Sequence, residues 1–175
     1  MRDRHTRPSE GDGPAHGSRT TRRALTLGAA LRRAWVGYQR RLDQQMAAAG
    51  FADRGFPDGR VLRLCRQSEE VTASRIGREL GITRQGASKI VAALRDRGYV
   101  TLRRSSTDSR EKVVRLTPRA HAYLAAQRSA SRRIERDLRS QVGPEAFDGL
   151  FRLLDALGDD DQPRLRDYLR RVLPS

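Results

Sequence analysis

The sequence has little of what disulfide-bonded, membrane and metal proteins need. Its 175 residues include one cysteine and three histidines, and aromatic residues make up only 5%. A single cysteine excludes an internal disulfide, so nothing points to an oxidising compartment and we expect a cytoplasmic protein. The longest mainly apolar stretch, residues 24–31, is far shorter than the roughly 20 residues of a membrane span. His5, His16 and His121 are scattered and predict no metal site.

Signatures of catalysis are also missing. The sequence contains no Gly-rich phosphate-binding loop and no nucleophile elbow. The adjacent acids Asp159–Asp161 lie between two predicted helices and indicate a helix stop. We therefore expect no catalytic residues, no metal and no cofactor, and we predict that the protein is not an enzyme.

Positive charge is abundant and unevenly distributed. The net charge is +15, and all but two of the 36 basic residues are arginine. Residues 71–119 hold twelve basic and four acidic residues, which is more than half of the excess. Such a concentration is typical of proteins that bind a polyanion, because neutralised phosphates release counterions. A solvated arginine-rich surface would give the same count, so charge alone leaves both interpretations open.

The N-terminal part divides into a polar tail and two helices. Residues 1–21 are rich in Gly, Pro, Ser and Arg and predict a disordered basic tail. A first helix should end near Ala49, before the Gly- and Pro-rich stretch 50–59. Its apolar residues recur at helical spacing: Leu31, Trp35, Tyr38, Leu42 and Met46. A second, short helix follows, with Val61, Leu62, Leu64 and Cys65 as its apolar residues.

The next segment predicts a helix-turn-helix. Thr72 can cap one helix and Thr83 another, and Gly81 breaks the chain between them. The second of these helices carries one apolar stripe and closes at Gly98. The stripe consists of Ala87, Ile90, Val91 and Leu94. Two capped helices joined by a tight glycine turn are typical of this motif.

A β-hairpin and further helices complete the predicted fold. Two short strands at Val100–Leu102 and Val114–Leu116 flank a polar loop. Thr117-Pro118 predicts the start of a helix that runs to about Ser140. Gly143-Pro144 breaks the chain before a helix with the stripe Phe147, Leu150, Phe151, Leu154 and Leu157. A final helix carries Leu165, Leu169, Val172 and Leu173. The fold class is mostly α with a small β-hairpin wing, a winged helix-turn-helix.

Two sets of residues are candidates for DNA binding. Opposite the apolar stripe, the second helix presents polar side chains that suit the major groove, where Arg can read guanine and Gln adenine. This set is Thr83, Arg84, Gln85, Ser88 and Lys89. The hairpin set suits the minor groove and its phosphates: Arg103, Arg104, Asp108, Arg110 and Lys112. We expect Asp108 to orient the Arg110 guanidinium. The alternatives are a polar solvated helix face and an ordinary charged loop.

From Val71 to Thr117 the sequence resembles the MarR family (multiple antibiotic resistance regulators) of winged-helix transcription factors. The stretch reads VTASRIGRELGITRQGASKIVAALRDRGYVTLRRSSTDSREKVVRLT, and its most diagnostic piece is Asp108-x-Arg110. The resemblance implies a homodimer whose helical dimerisation region comes from both termini. It also implies a recognition helix in the major groove and a wing in the minor groove. By position, Arg84, Gln85, Ser88 and Lys89 match the recognition residues, and Arg110 matches the minor-groove arginine.

The order of helices extends the resemblance to residues 22–158, with the DNA-binding lobe at about 57–117. Residues 159–175 are expected to be a C-terminal helix extension that is part of the dimer interface, and residues 145–173 should hold the dimer together. Members of the family often bind small, anionic aromatic molecules between the dimerisation helices and the DNA lobe. Trp35 and Tyr38 are candidate ligand contacts, although residues at this helical spacing more often belong to the core or the dimer interface. Cys65 is predicted to be a buried, inert thiol.

We therefore predict a cytoplasmic, homodimeric transcriptional regulator, more typically a repressor, that binds a pseudo-palindromic duplex DNA site. Its other expected partner is a small aromatic or anionic ligand, and no membrane is involved. RNA and single strands are disfavoured, because residues 71–119 contain one aromatic residue, Tyr99, and stacking platforms need more. The alternative is a sequence-indifferent architectural protein of the nucleoid type, whose affinity its charge would dominate.

Overall fold

The computed structural model describes residues 26–104 and 111–158 of the chain. They form helices α1 (Leu27–Ala48), α2 (Asp58–Gln67), α3 (Ala73–Leu80), α4 (Arg84–Asp96), α5 (Pro118–Val142) and α6 (Pro144–Leu157), and strands β1 (Val100–Arg104) and β2 (Lys112–Leu116). The predicted tail, the predicted final helix and the tip of the hairpin lie outside the described residues. Asp108 and Arg110 belong to that tip.

Helices α3 and α4 form the predicted helix-turn-helix, and local signals explain where each begins. The Thr72 hydroxyl accepts from the Arg75 N–H at 3.3 Å, and the Thr83 hydroxyl accepts from the Gly86 N–H at 3.0 Å. Gly81 ends α3 in the left-handed region, with φ of 68°, which costs a residue without a Cβ little. The capping predictions are therefore confirmed.

The hairpin pairs in a regular antiparallel register from Val100 opposite Leu116 to Arg104 opposite Lys112. Thr72 forms a bridge with Val113 on the other edge of β2, and the Val114 N–H donates to the Val71 carbonyl at 2.8 Å. Val113 and Val114 are both buried, so burial along β2 departs from strict alternation. These bonds join the hairpin to the start of α3.

Helix α5 connects this lobe to the rest of the molecule. Its N-cap is Thr117 with Pro118 in the first turn, as predicted, and it continues to Val142 rather than stopping near Ser140. It packs against α1, α2, α6 and β2. Phe51, Tyr99 and Tyr123 meet in the core between these elements, with the ring of Tyr123 edge-on to the other two at 5.5 and 5.4 Å.

Helix α6 leaves most of its apolar side chains exposed. Phe147 is buried in the described fold, whereas the rest of the stripe is exposed, as is the neighbouring Leu153: Leu150, Phe151, Leu154 and Leu157. Exposed apolar residues so closely grouped on one helix are typical of an interaction surface. None of the helices within residues 26–104 and 111–158 combines the length and apolar character that a bilayer-spanning segment requires.

Candidate nucleic-acid interface

The N-terminal half of α4 presents a polar face to solvent. Its buried side, formed by Ala87, Val91 and Leu94, packs into the core. The five predicted contact residues of this region are all exposed: Thr83, Arg84, Gln85, Ser88 and Lys89. Because the Thr83 hydroxyl already caps the helix, one role of this residue is to fix where α4 begins. The structure thus presents the predicted set together, on one face and at a helix N-terminus, where free N–H groups favour phosphate.

The hairpin places three more predicted residues beside α4. Arg103, Arg104 and Lys112 are exposed, and Arg104 lies opposite Lys112 at the end of the paired region. A cleft of about 380 Å³ separates the hairpin from α4, with Arg84, Ser88 and Arg95 on its helical side. In the described ranges, no ion pair involves Arg84, Lys89, Arg103, Arg104 or Lys112. Their charges are therefore available to an anionic partner.

Ser74 and Glu111 also line this cleft, and neither was predicted as a site residue. The Ser74 hydroxyl donates to Glu111 Oε1 at 3.3 Å, which ties the first turn of α3 to the residue that precedes β2. No local sequence pattern could have indicated this contact, because 37 positions separate the two residues.

Arg97 and Arg119, two other arginines of residues 71–119, do not line this cleft. We call Asp53, Asp58, Arg97, Tyr99 and Arg119 the linker cluster, because it holds the connection between α1 and α2 against the ends of α4 and α5. Arg97 Nη1 and Nη2 donate to the two carboxylate oxygens of Asp58 at 2.6 and 2.9 Å. The Tyr99 hydroxyl donates to Asp53 at 2.7 Å, and Arg119 donates to Asp53 at 3.2 Å.

These contacts change the ionisation of the cluster. Burial alone would raise the pKa of Asp53, but the hydrogen bonds from Tyr99 and Arg119 outweigh it and hold that pKa below its ordinary value. Burial, together with the hydrogen bond to Asp53, raises the pKa of Tyr99 to about 12. The hydrogen bonds to Asp58 raise the pKa of Arg97. At neutral pH the Asp53 carboxylate is therefore ionised and faces the Arg119 guanidinium, while the Tyr99 hydroxyl stays protonated.

A second candidate site lies between α1, α2, α5 and the α1–α2 connection. This cavity of about 530 Å³ is lined by aromatic and basic side chains. The aromatic ones are Trp35, Tyr38 and Phe56, and the basic ones are Arg54, Arg63, Arg66, Arg128 and Arg132. No acidic residue lines the cavity in the described part of the chain. The cavity is therefore positively charged and partly apolar.

Several contacts shape this cavity. Trp35 stacks on Tyr38 with ring centroids 6.1 Å apart, and the Tyr38 hydroxyl donates to Ser131 at 3.0 Å. Arg54 pairs with Asp43. Partial burial and the nearby Arg60 and Arg66 lower the pKa of Arg63, although tyrosines oppose this effect. No acidic side chain among the described lining residues of the cavity offsets this effect.

Cys65 is buried, as predicted, on the inner side of α2. Burial raises the pKa of its thiol to about 11, so the thiol is protonated at neutral pH. The described residues contain no group of histidine, cysteine and acidic side chains that could hold a metal ion.

Comparison with known proteins also points to the MarR family. Residues 49–111 match the model of the MarR family. The transcriptional repressor CouR, solved with a 23-mer DNA duplex, is 27% identical over 75% of this chain and 91% of its own, with a TM-score of 0.59. MepR of S. aureus, in a DNA complex, is 21% identical over 73% and 97%, with a TM-score of 0.59.

A MarR family protein of Mycobacterium tuberculosis, in complex with salicylic acid, is 20% identical over 78% of this chain and 98% of its own, with a TM-score of 0.56. No curated protein matches the chain. A helix-turn-helix followed by a two-stranded wing defines a winged-helix protein. The resemblance to the MarR family is confirmed: residues 49–111 match its model, and the chain shares the winged-helix fold of its transcription regulators.

Proposed function

We propose that this chain is a sequence-specific repressor that binds a pseudo-palindromic duplex site as a homodimer. The observation that carries the proposal is the exposed N-terminal face of α4, where Arg84, Gln85 and Lys89 have no acidic partner in the described ranges. These side chains suit the edges of bases in the major groove. The wing, with Arg103 and Lys112 on its two strands and with the predicted Arg110, would contact the minor groove and its phosphates.

The exposed stripe of α6 supports the dimer. A second copy would cover Leu150, Phe151 and Leu154, and two copies related by a two-fold axis would place two recognition helices on two half-sites. In the full chain, Leu150→Glu with Leu154→Glu should give a monomer in analytical ultracentrifugation. Arg152→Glu is the matched control, because it changes charge on the same helix without removing an apolar contact. A dimeric double variant would contradict this role of α6.

DNA binding is tested on fragments from upstream of the gene, with scrambled competitor, across a salt series. A regulator should keep a preference for one fragment, of about 1,000-fold or more, as salt weakens the non-specific component. The second candidate function, a sequence-indifferent architectural protein, is favoured by the net charge of +15. A preference that disappears as salt rises would support that candidate and contradict the proposed one.

We further propose that an anionic aromatic ligand occupies the cavity and lowers the affinity for DNA. The arginines would bind its carboxylate, and Trp35 and Tyr38 would contact its ring. Salicylate is the probe, because a relative of this fold is solved with salicylic acid. Calorimetry should show that Arg132→Gln weakens salicylate binding about tenfold, the loss expected for one charge-assisted hydrogen bond.

The matched control for that experiment is Arg133→Gln. Arg132 lines the cavity and Arg133 does not, although they are neighbours on α5 and both are exposed. Equal losses in the two variants would indicate that salicylate senses the overall charge of the protein rather than the cavity. Because Trp35 is the single tryptophan of the chain, its fluorescence gives an independent signal of occupancy.

A further inference from the structure

The connection between α1 and α2 contacts the cavity on one side and the recognition helix on the other. Arg54, Gly55 and Phe56 line the cavity. From the same connection, the Asp53 carbonyl accepts from Arg97 at 2.7 Å, and Arg97 is the C-cap residue of α4. One short segment therefore lies between a candidate ligand and the helix that would read DNA.

Asp58 is where these contacts meet. Its side chain is the buried charged group of the described residues, with 2% exposed. Asp58 Oδ2 accepts from the Gly55 backbone N–H at 2.6 Å and from Arg97 Nη1 at 2.6 Å. Oδ1 accepts from Arg97 Nη2 at 2.9 Å. A buried carboxylate loses much of its stabilisation when a donor leaves, so a displacement of Gly55 must be shared by Arg97.

Arg97 carries that displacement into α4. Its Nε donates to the Ala93 carbonyl in the last turn of α4 at 3.1 Å, so the guanidinium is fastened to the helix as well as to Asp58. All three of its nitrogens are used within the protein. Arg97 is therefore not available to phosphate, and its influence on DNA acts through the position of α4.

Because α4 is long, a small tilt at its C-terminal end displaces its N-terminal end. The helix has 13 residues, and at about 1.5 Å of rise for each residue it is about 20 Å long. A tilt of about 5° at its C-terminal end moves its N-terminal end by about 1.7 Å, and Arg84 and Gln85 lie at that end. Hydrogen bonds to bases are made within a few tenths of an ångström, so such a movement breaks them.

We propose that Asp58 is a positioning residue that transmits the occupancy of the cavity to the recognition helix, through Gly55 on one side and Arg97 on the other. This inference rests on the proposed function for its DNA and its ligand. A ligand that moves the 54–56 segment shifts the Asp58 carboxylate, and the Arg97 contact then turns α4 away from the geometry that fits DNA.

A double-mutant cycle tests the positioning role without any ligand. Asp58→Asn keeps an oxygen for the Gly55 N–H but removes the charge, and Arg97→Gln removes the bidentate donor. Each should lower affinity for the preferred DNA fragment by roughly 2- to 30-fold. The combined variant should lose no more DNA affinity than the single variant with the larger loss, because both substitutions remove the same contact. Additive losses, or unchanged affinity in folded variants, would overturn the proposal.

Asp148→Asn is the matched control for the cycle. Asp148 accepts two hydrogen bonds from Arg139, at 2.7 and 3.1 Å, but this pair joins α5 to α6 and lies away from the connection. Any loss of DNA affinity that Asp148→Asn causes should add to the loss in Arg97→Gln, because the two sites share no contact. Thermal unfolding verifies that each variant folds. Arg97→Lys, which keeps the charge without the bidentate geometry, should give an intermediate loss even if Arg97→Gln is too unstable.

The ligand arm measures DNA affinity with and without salicylate. In the wild type, salicylate should weaken DNA binding; in Arg97→Gln, it should bind equally well by calorimetry but leave DNA affinity unchanged. A full salicylate response in the variant overturns the transmission and leaves the proposed function intact. A wild type that binds DNA but shows no salicylate response overturns the transmission together with the ligand response. A wild type with no fragment preference contradicts the proposed function itself.

Discussion

The face of α4 and the linker cluster are both rich in arginine, but they differ in what the arginines contact. In the linker cluster, Arg97 pairs with Asp58 and Arg119 pairs with Asp53. Arg119 also lies 4.9 Å above the ring of Tyr99, within the range of a cation–π contact. On the candidate DNA-binding surface, the described arginines are exposed to solvent and, apart from Arg95 with its neighbour Asp96, contact no acidic side chain.

The difference shows that a count of charges does not locate a binding surface. An arginine in contact with a carboxylate contributes little field at a distance, because the two charges largely cancel. Arg95, Arg97 and Arg119 were part of the basic excess of residues 71–119, yet each has an acidic partner. The electrostatic surface that DNA would meet is therefore narrower than the segment of sequence that predicts it.

The largest expected effect on the free energy of unfolding comes from breaking the buried Asp58–Arg97 pair. Asp58→Ala leaves Arg97 without its carboxylate and the Gly55 N–H without its acceptor, so unfolding in urea should show a loss of about 3 kcal/mol, near the lower end for a broken buried pair. The lower end applies because the Arg97 side chain remains 26% exposed. Asp96→Ala, in an exposed pair of the same helix end, is the control. A loss below about 0.5 kcal/mol in Asp58→Ala would show that the buried pair stabilises the fold no more than an exposed pair does.

The second-largest effect is expected from substitutions on the exposed face of α4. Arg84→Ala and Gln85→Ala should each relax the preference for one base of each half-site by roughly 1–3 kcal/mol and leave thermal stability unchanged. Binding to a panel of single-base variants of the preferred fragment measures this. Arg133→Ala removes the same charge from α5 and should lower affinity slightly and equally on all sequences. The same uniform loss in Arg84→Ala would identify Arg84 as a phosphate contact.

The parts of this fold that were predictable from sequence depend on neighbours along the chain. Thr72, Thr83 and Thr117-Pro118 act on amides within three or four positions, and the apolar stripe of α4 follows its own helical period. Both signals are local, so the helix-turn-helix and its bounds could be predicted. The polar face of α4 could be predicted for the same reason, as the side opposite the stripe.

The linker cluster and the lining of the cavity could not be predicted in this way. Asp58 and Arg97 are 39 positions apart, and Asp53 and Tyr99 are 46 apart, without any periodicity that relates them. Asp58 follows a proline near Gly residues, a setting that predicts a turn and not a buried ion pair. Trp35 and Tyr38 were candidates for a ligand site by resemblance, but the arginines of α2 and α5 opposite them come together only through the packing of helices.

A smaller effect is expected from removing the Tyr99 hydroxyl, which connects the linker cluster to the aromatic core. Tyr99→Phe keeps the ring and removes the hydrogen bond to Asp53, which should cost about 1 kcal/mol at neutral pH. Because Asp53 has a lowered pKa in the folded protein, its contacts stabilise the fold above the ordinary value of 3.8 and lose their effect as the pH falls through the folded pKa. The deficit should therefore shrink in urea titrations as the pH is lowered from neutral to below 3.8. A deficit that is equal at both pH values would indicate lost packing instead.

The smallest expected effect comes from a pair that matches Asp58–Arg97 in geometry but not in burial. Arg139 and Asp148 also form two hydrogen bonds, yet their side chains are 46% and 50% exposed. Asp148→Asn should change the free energy of unfolding by less than about 0.5 kcal/mol, because water replaces the lost contacts. Urea unfolding beside Asp58→Ala gives the comparison directly. Equal losses in the free energy of unfolding would indicate that the pairing geometry, and not burial, determines the strength of such a pair. A much larger loss in Asp58→Ala would show that exclusion of water makes the Asp58 contact strong enough to hold the recognition helix.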